Sequence, residues 1–338
     1  MSRFNRVILS RKGFDSKSAH EYSRFDPLTR KYIVLPIPYE EIGGCHGNGT
    51  KYEDIKLNSG FLSGVDASNL YELVYHESMR FGKWIKKAIL QKYAHFDPWL
   101  ARCPWLEEGN NHHLGAFGQD DTAQSHLNNK AVREGSLFLF FSRFVPINTT
   151  INTTKEGDGG IDIKGRHINH EHLSKGLYFI YGWLEVVEVI REFEDIDNSN
   201  LLSEKEKKEL KERHPHATKD YFDKCKGKNN TIYLADSQRC GYFPKLTDDL
   251  LLTATDSAQP YNDWLAGRWE LPGFFYKYPH PTYFPKDKRE WASQQDSKTC
   301  VVRHPCIGQE FVFDDSEEFY HWFNKLLGET HNENHKNK

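Results

Sequence analysis

Two long apolar runs dominate the pattern of hydrophobic and polar positions along this chain. The first spans residues 136–145, from Ser136 to Val145, and the second spans residues 176–190, from Gly176 to Ile190. Both are rich in aromatic and β-branched residues and are bounded by turn or polar residues, so each predicts a strand. Leu137–Phe141 is apolar at every position. That pattern predicts a strand covered on both faces, with a short buried helix as the alternative that periodicity does not separate. In the second run Gly182 interrupts the strand pattern, which marks a bulge or a close backbone approach. Tyr181 and Trp183 flank it, so a ring on either face could line a shallow pocket. The plainer reading is a core hairpin with a bulge.

Other elements follow from the same patterning. Short strands are predicted at Arg6–Leu9, at Tyr32–Pro38 (broken by its prolines), at Thr231–Ala235, at Leu250–Thr253 and at Gln309–Val312. Residues 42–64 read as a long loop. Near-helical spacing of Leu70, Leu73, Val74, Phe81, Trp84, Ile85, Ala88 and Ile89 predicts a helix over 67–93, with Ser68 as N-cap. A polar, self-sufficient helix is predicted over 203–213, capped by Ser203 and laced with mixed charges at i,i+4 spacing. Residues 264–284, dense in aromatics and prolines, read as an irregular packed cap, with base stacking as the less favoured use. A final amphipathic helix is predicted at 316–327, followed by a disordered polar tail over 329–338. No repeat and no clean linker appears. The expectation is a single α+β domain over 1–328, with a mixed, barrel-like sheet and a helical elaboration near 67–93.

Composition narrows the picture. The chain has 338 residues and a formal charge of −3, so no global basic field draws it to nucleic acid. Any such contact must come from a local patch. The 8 Trp, 17 Tyr and 22 Phe supply a substantial core despite an apolar fraction of 38%. Six cysteines occur without a CxxC pair or zinc-ribbon spacing. With no signal peptide, they read as reduced thiols in the cytoplasm. No run approaches the ~20 apolar residues that a membrane-spanning helix needs.

Candidate chemistry lies in polar segments between these elements. The loop Ser10–Ser16 carries Arg11, Lys12, Gly13 and Asp15. Two cations could hold a phosphate, Gly13 would let the backbone come close, and Asp15 could act as general base. The alternative is a surface turn whose aspartate caps the next segment. In His95-Phe-Asp97 the two polar side chains fall on one side of an extended segment and could share a metal. Asp120 or Asp121 could cap a short helix carrying Gln124 and His126, and Gln119 and Gln124 have the paired donor and acceptor that read a base edge. His214-Pro-His216 follows the charged helix. The cluster His167, His170 and His172 has no defined zinc spacing. A metal variant would recruit His95, Asp97, His126, His214 and His216, a set that suits zinc, iron or manganese. It requires three separate segments to meet.

With those stretches in view, the chain resembles the nucleotide modification associated domain 3 family. The likeness rests on Ser10–Ser16, Leu35–Pro38, His95–Pro98, Phe117–Gln119 with Gln124–Leu127, Leu137–Phe141, Tyr181–Val186, His214–His216 and Gly308–Val312. The resemblance implies a role around modified bases in phage or bacterial DNA. It places functional weight on Arg11, Lys12, Asp15, His95, Asp97, Gln119, Gln124, His126, His214, His216, Gln309 and Glu310. A looser similarity of the central strand pair to PUA-type and ASCH-type barrels implies a nucleobase-binding barrel.

Two function classes follow. One is an enzyme acting on a nucleotide or a DNA base, with Arg11 and Lys12 on phosphate, Gln119 and Gln124 on the base, and Asp15 or His126 moving protons. The other is non-catalytic: a reader of a modified base with Tyr181 and Trp183 as pocket walls, or a scaffold in a modification or defence complex. GxGxxG, Walker A and GxSxG motifs are all absent.

Overall fold

The run that begins at Leu137 becomes the middle strand of the largest sheet. The computed structural model describes residues 3–14, 22–39, 50–80, 93–108, 112–147, 160–169, 173–224, 229–254, 268–277, 291–293, 299–303 and 310–336. In chain order the strands are β1 (Val7–Arg11), β2 (Ser23–Phe25), β3 (Tyr32–Ile33), β4 (Ile37–Tyr39), β5 (Tyr93–His95) and β6 (Leu114–Gln119). They continue with β7 (Leu137–Pro146), β8 (Ile161–Ile163), β9 (Arg166–Ile168), β10 (Leu177–Glu185), β11 (Glu188–Ile190) and β12 (Thr231–Asp236). The last are β13 (Cys240–Tyr242), β14 (Arg268–Pro272), β15 (Trp291–Ser293), β16 (Thr299–Arg303) and β17 (Glu310–Phe313).

The main sheet runs β13-β10-β7-β1-β17, with β2 and β3 joined beside β7. It is mixed. β1 and β2 lie parallel to successive halves of β7, while β10 and β17 pair antiparallel to β7 and β1. Leu137–Phe141 is buried at all five positions, as a strand covered on both faces requires. The register between β7 and β10 slips between Ile180 and Gly182, leaving Tyr181 as the extra residue of a bulge. A Cβ on Gly182 would stand 2.5 Å from Leu100 Cδ1, so the glycine also permits a close approach.

A second sheet, β11-β12-β6, is antiparallel. Alternate residues of β6 and β12 enter two apolar layers. Leu114, Ala116, Ile232 and Leu234 pack with Trp99, Ile196 and Leu210, whereas Phe117, Tyr233 and Ala235 join the core of the main sheet. The period of two along each strand therefore serves both sides. A third sheet runs β14-β16-β15, and β4-β5 and β8-β9 form two-stranded pairs.

No closed barrel is found among the described residues. The expected PUA-like barrel is thus not confirmed, and the described residues form a mixed α/β arrangement of several sheets in which the main sheet's edge strands, β13 and β17, do not pair with each other. Several local expectations also shift. The helix in the 67–93 region is Leu70–Arg80, residues 81–92 lie outside the described residues, and Tyr93–His95 is already a strand. Its start is capped by Asn69, whose Oδ1 accepts from the Glu72 backbone N–H at 2.9 Å, while Ser68 turns its hydroxyl to the Glu72 carboxylate. Leu250–Thr253 follows a 3-10 turn, Asp248–Leu250, rather than forming a regular strand. The last helix runs Glu317–Lys336 and buries Phe319, Phe323 and Leu326. The helix Glu204–Arg213 has the expected cap: Ser203 Oγ accepts from the Glu206 N–H, and the Glu206 carboxylate accepts from the Ser203 N–H.

Candidate functional site

Four polar segments meet around the end of β6. The residues after β5 run beside β6 through a Trp99–Ala116 bridge, which brings Asp97 to the Gly118 backbone. The Gly118 N–H donates to Asp97 Oδ1 at 2.9 Å. The helix Glu204–Arg213 ends at His214, whose backbone N–H still reaches Leu210 O. His214 Nδ1 accepts from the His216 N–H at 3.2 Å, which leaves the ring proton on Nε2. That Nε2 lies 3.2 Å from Asp97 Oδ1, and both side chains are fully buried. Asp97 Oδ1 thus accepts from the Gly118 N–H and lies beside His214 Nε2, while Asp97 Oδ2 and His214 Nε2 are both buried without a hydrogen-bond partner.

His216 is set by two further contacts. Its ring lies on Gly118, where any Cβ would fall 2.2 Å from His216 Cγ. Only glycine leaves room for that stacking. The Asn230 amide donates to the His216 carbonyl at 2.9 Å, which turns Asn230 Oδ1 towards His216 Nδ1, also at 2.9 Å. His216 Nδ1–H is the donor in that pair, and Nε2 is left as an acceptor. The His95 ring meets the His216 ring edge-on at 5.1 Å. One ligand atom each from His95, Asp97 and His216 lies within 4.8 Å of the other two.

The fourth segment is β17. Its pairing with β1 sets Glu310 opposite Ser10. Glu310 is fully buried and its Oε1 accepts from Gln119 Nε2 at 2.6 Å. Lys12 continues the same face of β1 two residues after Ser10. Its ammonium sits 4.4 Å from the centre of the Phe117 ring. Among the described residues no hydrogen bond or ion pair holds that ammonium, and its field reaches His95, Asp97 and Glu310. Lys12 and His95 are the half-buried members of the group, with Asp97, His214, His216, Gln119 and Glu310 beneath them.

The charge states differ sharply across this small space. Burial pushes the Glu310 carboxyl up to about 7, against the opposing pull of Lys12 and the Gln119 hydrogen bond. Burial alone would also raise Asp97. The His214 imidazole beside Oδ1 and the positive field of Lys12 outweigh it and hold Asp97 below the usual carboxylate range. Burial lowers His95, and the His216 ring adds to that effect. Burial likewise lowers His216, against the attraction of Asp97. At neutral pH the arrangement is therefore an ionised Asp97, neutral imidazoles at His95 and His216, and a Glu310 poised to take or give a proton.

Other residues singled out in the sequence do not join this group. Arg11 points to the opposite face of β1, where its guanidinium covers Tyr178 at 5.4 Å. The two adjacent cations therefore do not clamp one phosphate. Gly13 has φ +96°, and the space a side chain would need is taken by Ser142 Oγ, 2.7 Å from a Cβ position, rather than left open for an anion. Gln124 is fully buried and its amide is used up by Tyr233 Oη and Asn128, so it presents no free edge to a base. His126 is half-buried on the same helix, Asp121–Asn129, and is not one of the three ligand groups that come together. Asp120 stands at that helix's N-cap position, but its Oδ2 accepts from Tyr221 Oη at 2.6 Å instead of capping. Tyr181 is buried in the bulge near Tyr242, and Trp183 packs edge-on against Phe323 at 5.6 Å, so the two rings do not share a pocket wall. Asp15 and Gln309 lie outside the described residues, as do His170 and His172.

Two contributors escaped the sequence reading. Gly118 sits inside a motif already singled out, but nothing local shows that an imidazole will lie on it. Asn230 sits in an ordinary Asn-x-Ser/Thr-like stretch, and its role depends on where His216 comes to rest.

No curated protein and no solved structure matches the chain. A family pattern does match, and it spans residues 6–314, from before β1 to the residue after β17, so it takes in every member of the cluster. The chain belongs to the nucleotide modification associated domain 3 family.

Proposed function

We propose that this protein is an enzyme that acts on a nucleobase, in DNA or in a nucleotide, at the group formed by Lys12, Gln119 and Glu310. The observation that carries the reading is a half-buried Lys12 ammonium, without an ion pair among the described residues, whose field reaches a buried Glu310 with its carboxyl pushed up to about 7. A carboxyl poised near the working pH is suited to proton transfer in either direction. Lys12 would take the substrate's phosphate or a developing negative charge, since a cation in a desolvated site is worth more than one in water. Gln119 would keep Glu310 in place and hold it to one rotamer through the 2.6 Å contact. The family's association with nucleotide modification supports the substrate class.

The test is a comparison of two variants on nucleotides and on short DNA strands carrying plain or modified bases. Glu310→Gln is expected to retain ligand affinity and lose turnover by roughly 10²–10⁴-fold, the usual contribution of one acid–base group. Lys12→Ala is expected to weaken binding of phosphorylated ligands and to flatten the salt dependence, while nucleoside binding stays unchanged. Binding of a modified base with no turnover in the wild-type protein would replace this reading with a non-catalytic reader. Unchanged affinity in Lys12→Ala would remove Lys12 from the site.

A further inference from the structure

We infer that His95, Asp97 and His216 form a binding site for one divalent transition-metal ion. This goes beyond the acid–base reading and does not depend on it. Two imidazole nitrogens and one carboxylate oxygen lie within 4.8 Å of one another. Bonds of about 2.0–2.2 Å would require the three atoms to draw in further. Such a set with open positions suits zinc or ferrous iron, and the remaining positions would take water or a substrate atom.

Proximity alone is weak ground, because buried polar groups also cluster to satisfy each other. Here one ligand atom stays unsatisfied. Asp97 Oδ1 is held by the Gly118 N–H and lies beside His214, yet Oδ2 is left buried with no partner. Leaving a buried carboxylate oxygen unsatisfied is expensive, and native proteins seldom keep such a group without a use. At His216, Asn230 engages Nδ1, which fixes the tautomer and leaves Nε2 as the lone-pair nitrogen. Metal-bound histidines are commonly oriented in this way by a second hydrogen bond to the far nitrogen. His214 does for Asp97 what Asn230 does for His216. It is a positioning residue rather than a fourth ligand, since its Nδ1 is occupied by the His216 N–H and it is not among the three residues whose ligand atoms converge. The His214-Pro-His216 spacing thus divides into one supporting and one ligating imidazole. Lys12 is the competing cation, because its field already acts on Asp97 and His95.

The experiment uses the full chain, stripped with chelator and titrated by calorimetry with Zn²⁺, and anaerobically with Fe²⁺, with metal content measured after desalting. The expected result is one ion per chain. His216→Gln and His95→Ala should each abolish stoichiometric retention, and Asn230→Ala should weaken affinity by roughly 10–100-fold, the usual effect of losing an orienting partner. Circular dichroism reports whether each variant is folded. If His216→Gln does not fold, the half-buried His95→Ala carries the comparison. Failure of the wild-type chain to retain either ion would overturn the inference, as would retention unchanged in folded His95→Ala. Because no substrate is present, the outcome is separate from that of Glu310→Gln.

Discussion

From Leu137 to Phe141 every buried position is apolar, whereas around the end of β6 the buried positions are Asp97, His214, His216, Gln119 and Glu310. The two regions share Phe117, which packs on Phe138 and Phe140 on one side and lies under the Lys12 ammonium on the other. The strand pair meets most of its burial requirements through ring contacts and a ladder interrupted at the Tyr181 bulge, and leaves the Tyr181 hydroxyl buried without a hydrogen-bond partner. The polar cluster meets only part of its own: Asp97 Oδ2 and Glu310 Oε2 stay without hydrogen-bond partners. A buried carboxyl oxygen without a partner costs more than a hydroxyl left the same way, so two of them in one small space mark a site rather than a core. The contrast separates residues that hold the fold from residues that the fold must support.

The comparison can be broken most forcefully from the apolar side. Phe138 is fully buried against Phe117 at 4.9 Å and Tyr233 at 5.0 Å. Phe138→Ala is expected to lose about 3–5 kcal/mol of stability in a urea titration, as other buried rings do on truncation. A loss well under that range would mean the two sheets collapse into the space.

On the polar side the expected sign reverses. Glu310 has its carboxyl raised from 4.5 to about 7, so the folded chain holds a proton that the unfolded chain releases. Its contribution to stability is fully present below pH 4.5 and is lost as pH rises through about 7, a change on the order of 3 kcal/mol. Glu310→Gln should remove that decline and be the more stable chain above pH 7, even as it loses activity. A stability profile that falls equally in both proteins would show that Glu310 is not the titrating group.

Gly118 lies where the two regions join. Gly118→Ala puts a Cβ 2.2 Å from His216 Cγ, so the ring must move. The expected loss is about 1–3 kcal/mol by thermal or chemical denaturation, together with weaker metal retention. Unchanged retention would mean that His216 can be displaced without harm.

The smallest effect belongs to the helix that delivers His214. Ser203→Ala removes a capping box and should cost about 1 kcal/mol in a denaturant titration, leaving metal retention intact because Leu210 still anchors the helix.

Much of the local structure was legible in the sequence. Unbroken apolar runs predicted the paired strands, Gly182 predicted a bulge or a close backbone approach, and Ser203 marked a helix start. These signals are local: side-chain period and backbone freedom act over a few residues, whatever the rest of the chain does. His95 and Asp97 were also recognisable as a pair, because alternate residues of an extended segment share a face.

The composition of the site was decided elsewhere. Arg11 and Lys12 are neighbours in sequence, yet the pleat of β1 sends them to opposite faces, and it is the field of Lys12 that reaches Asp97 and Glu310. Gln119 and Gln124 looked alike as base readers. A β-strand end brings the first to Glu310, while a helix turns the second into Tyr233. The barrel suggested by the strand pattern is not found among the described residues, since sheet closure depends on which edges meet, and there β13 and β17 do not pair. His216 reaches His95 and Asp97 only because the helix Glu204–Arg213 packs its Leu210 beside Trp99 and Gly118 leaves space for a ring. Sequence alone determined which segments would be strands or helices and which residue types could do chemistry. Register, strand direction and the packing of distant segments determined which of them share a site, because those depend on contacts between residues far apart in the chain that no local pattern encodes.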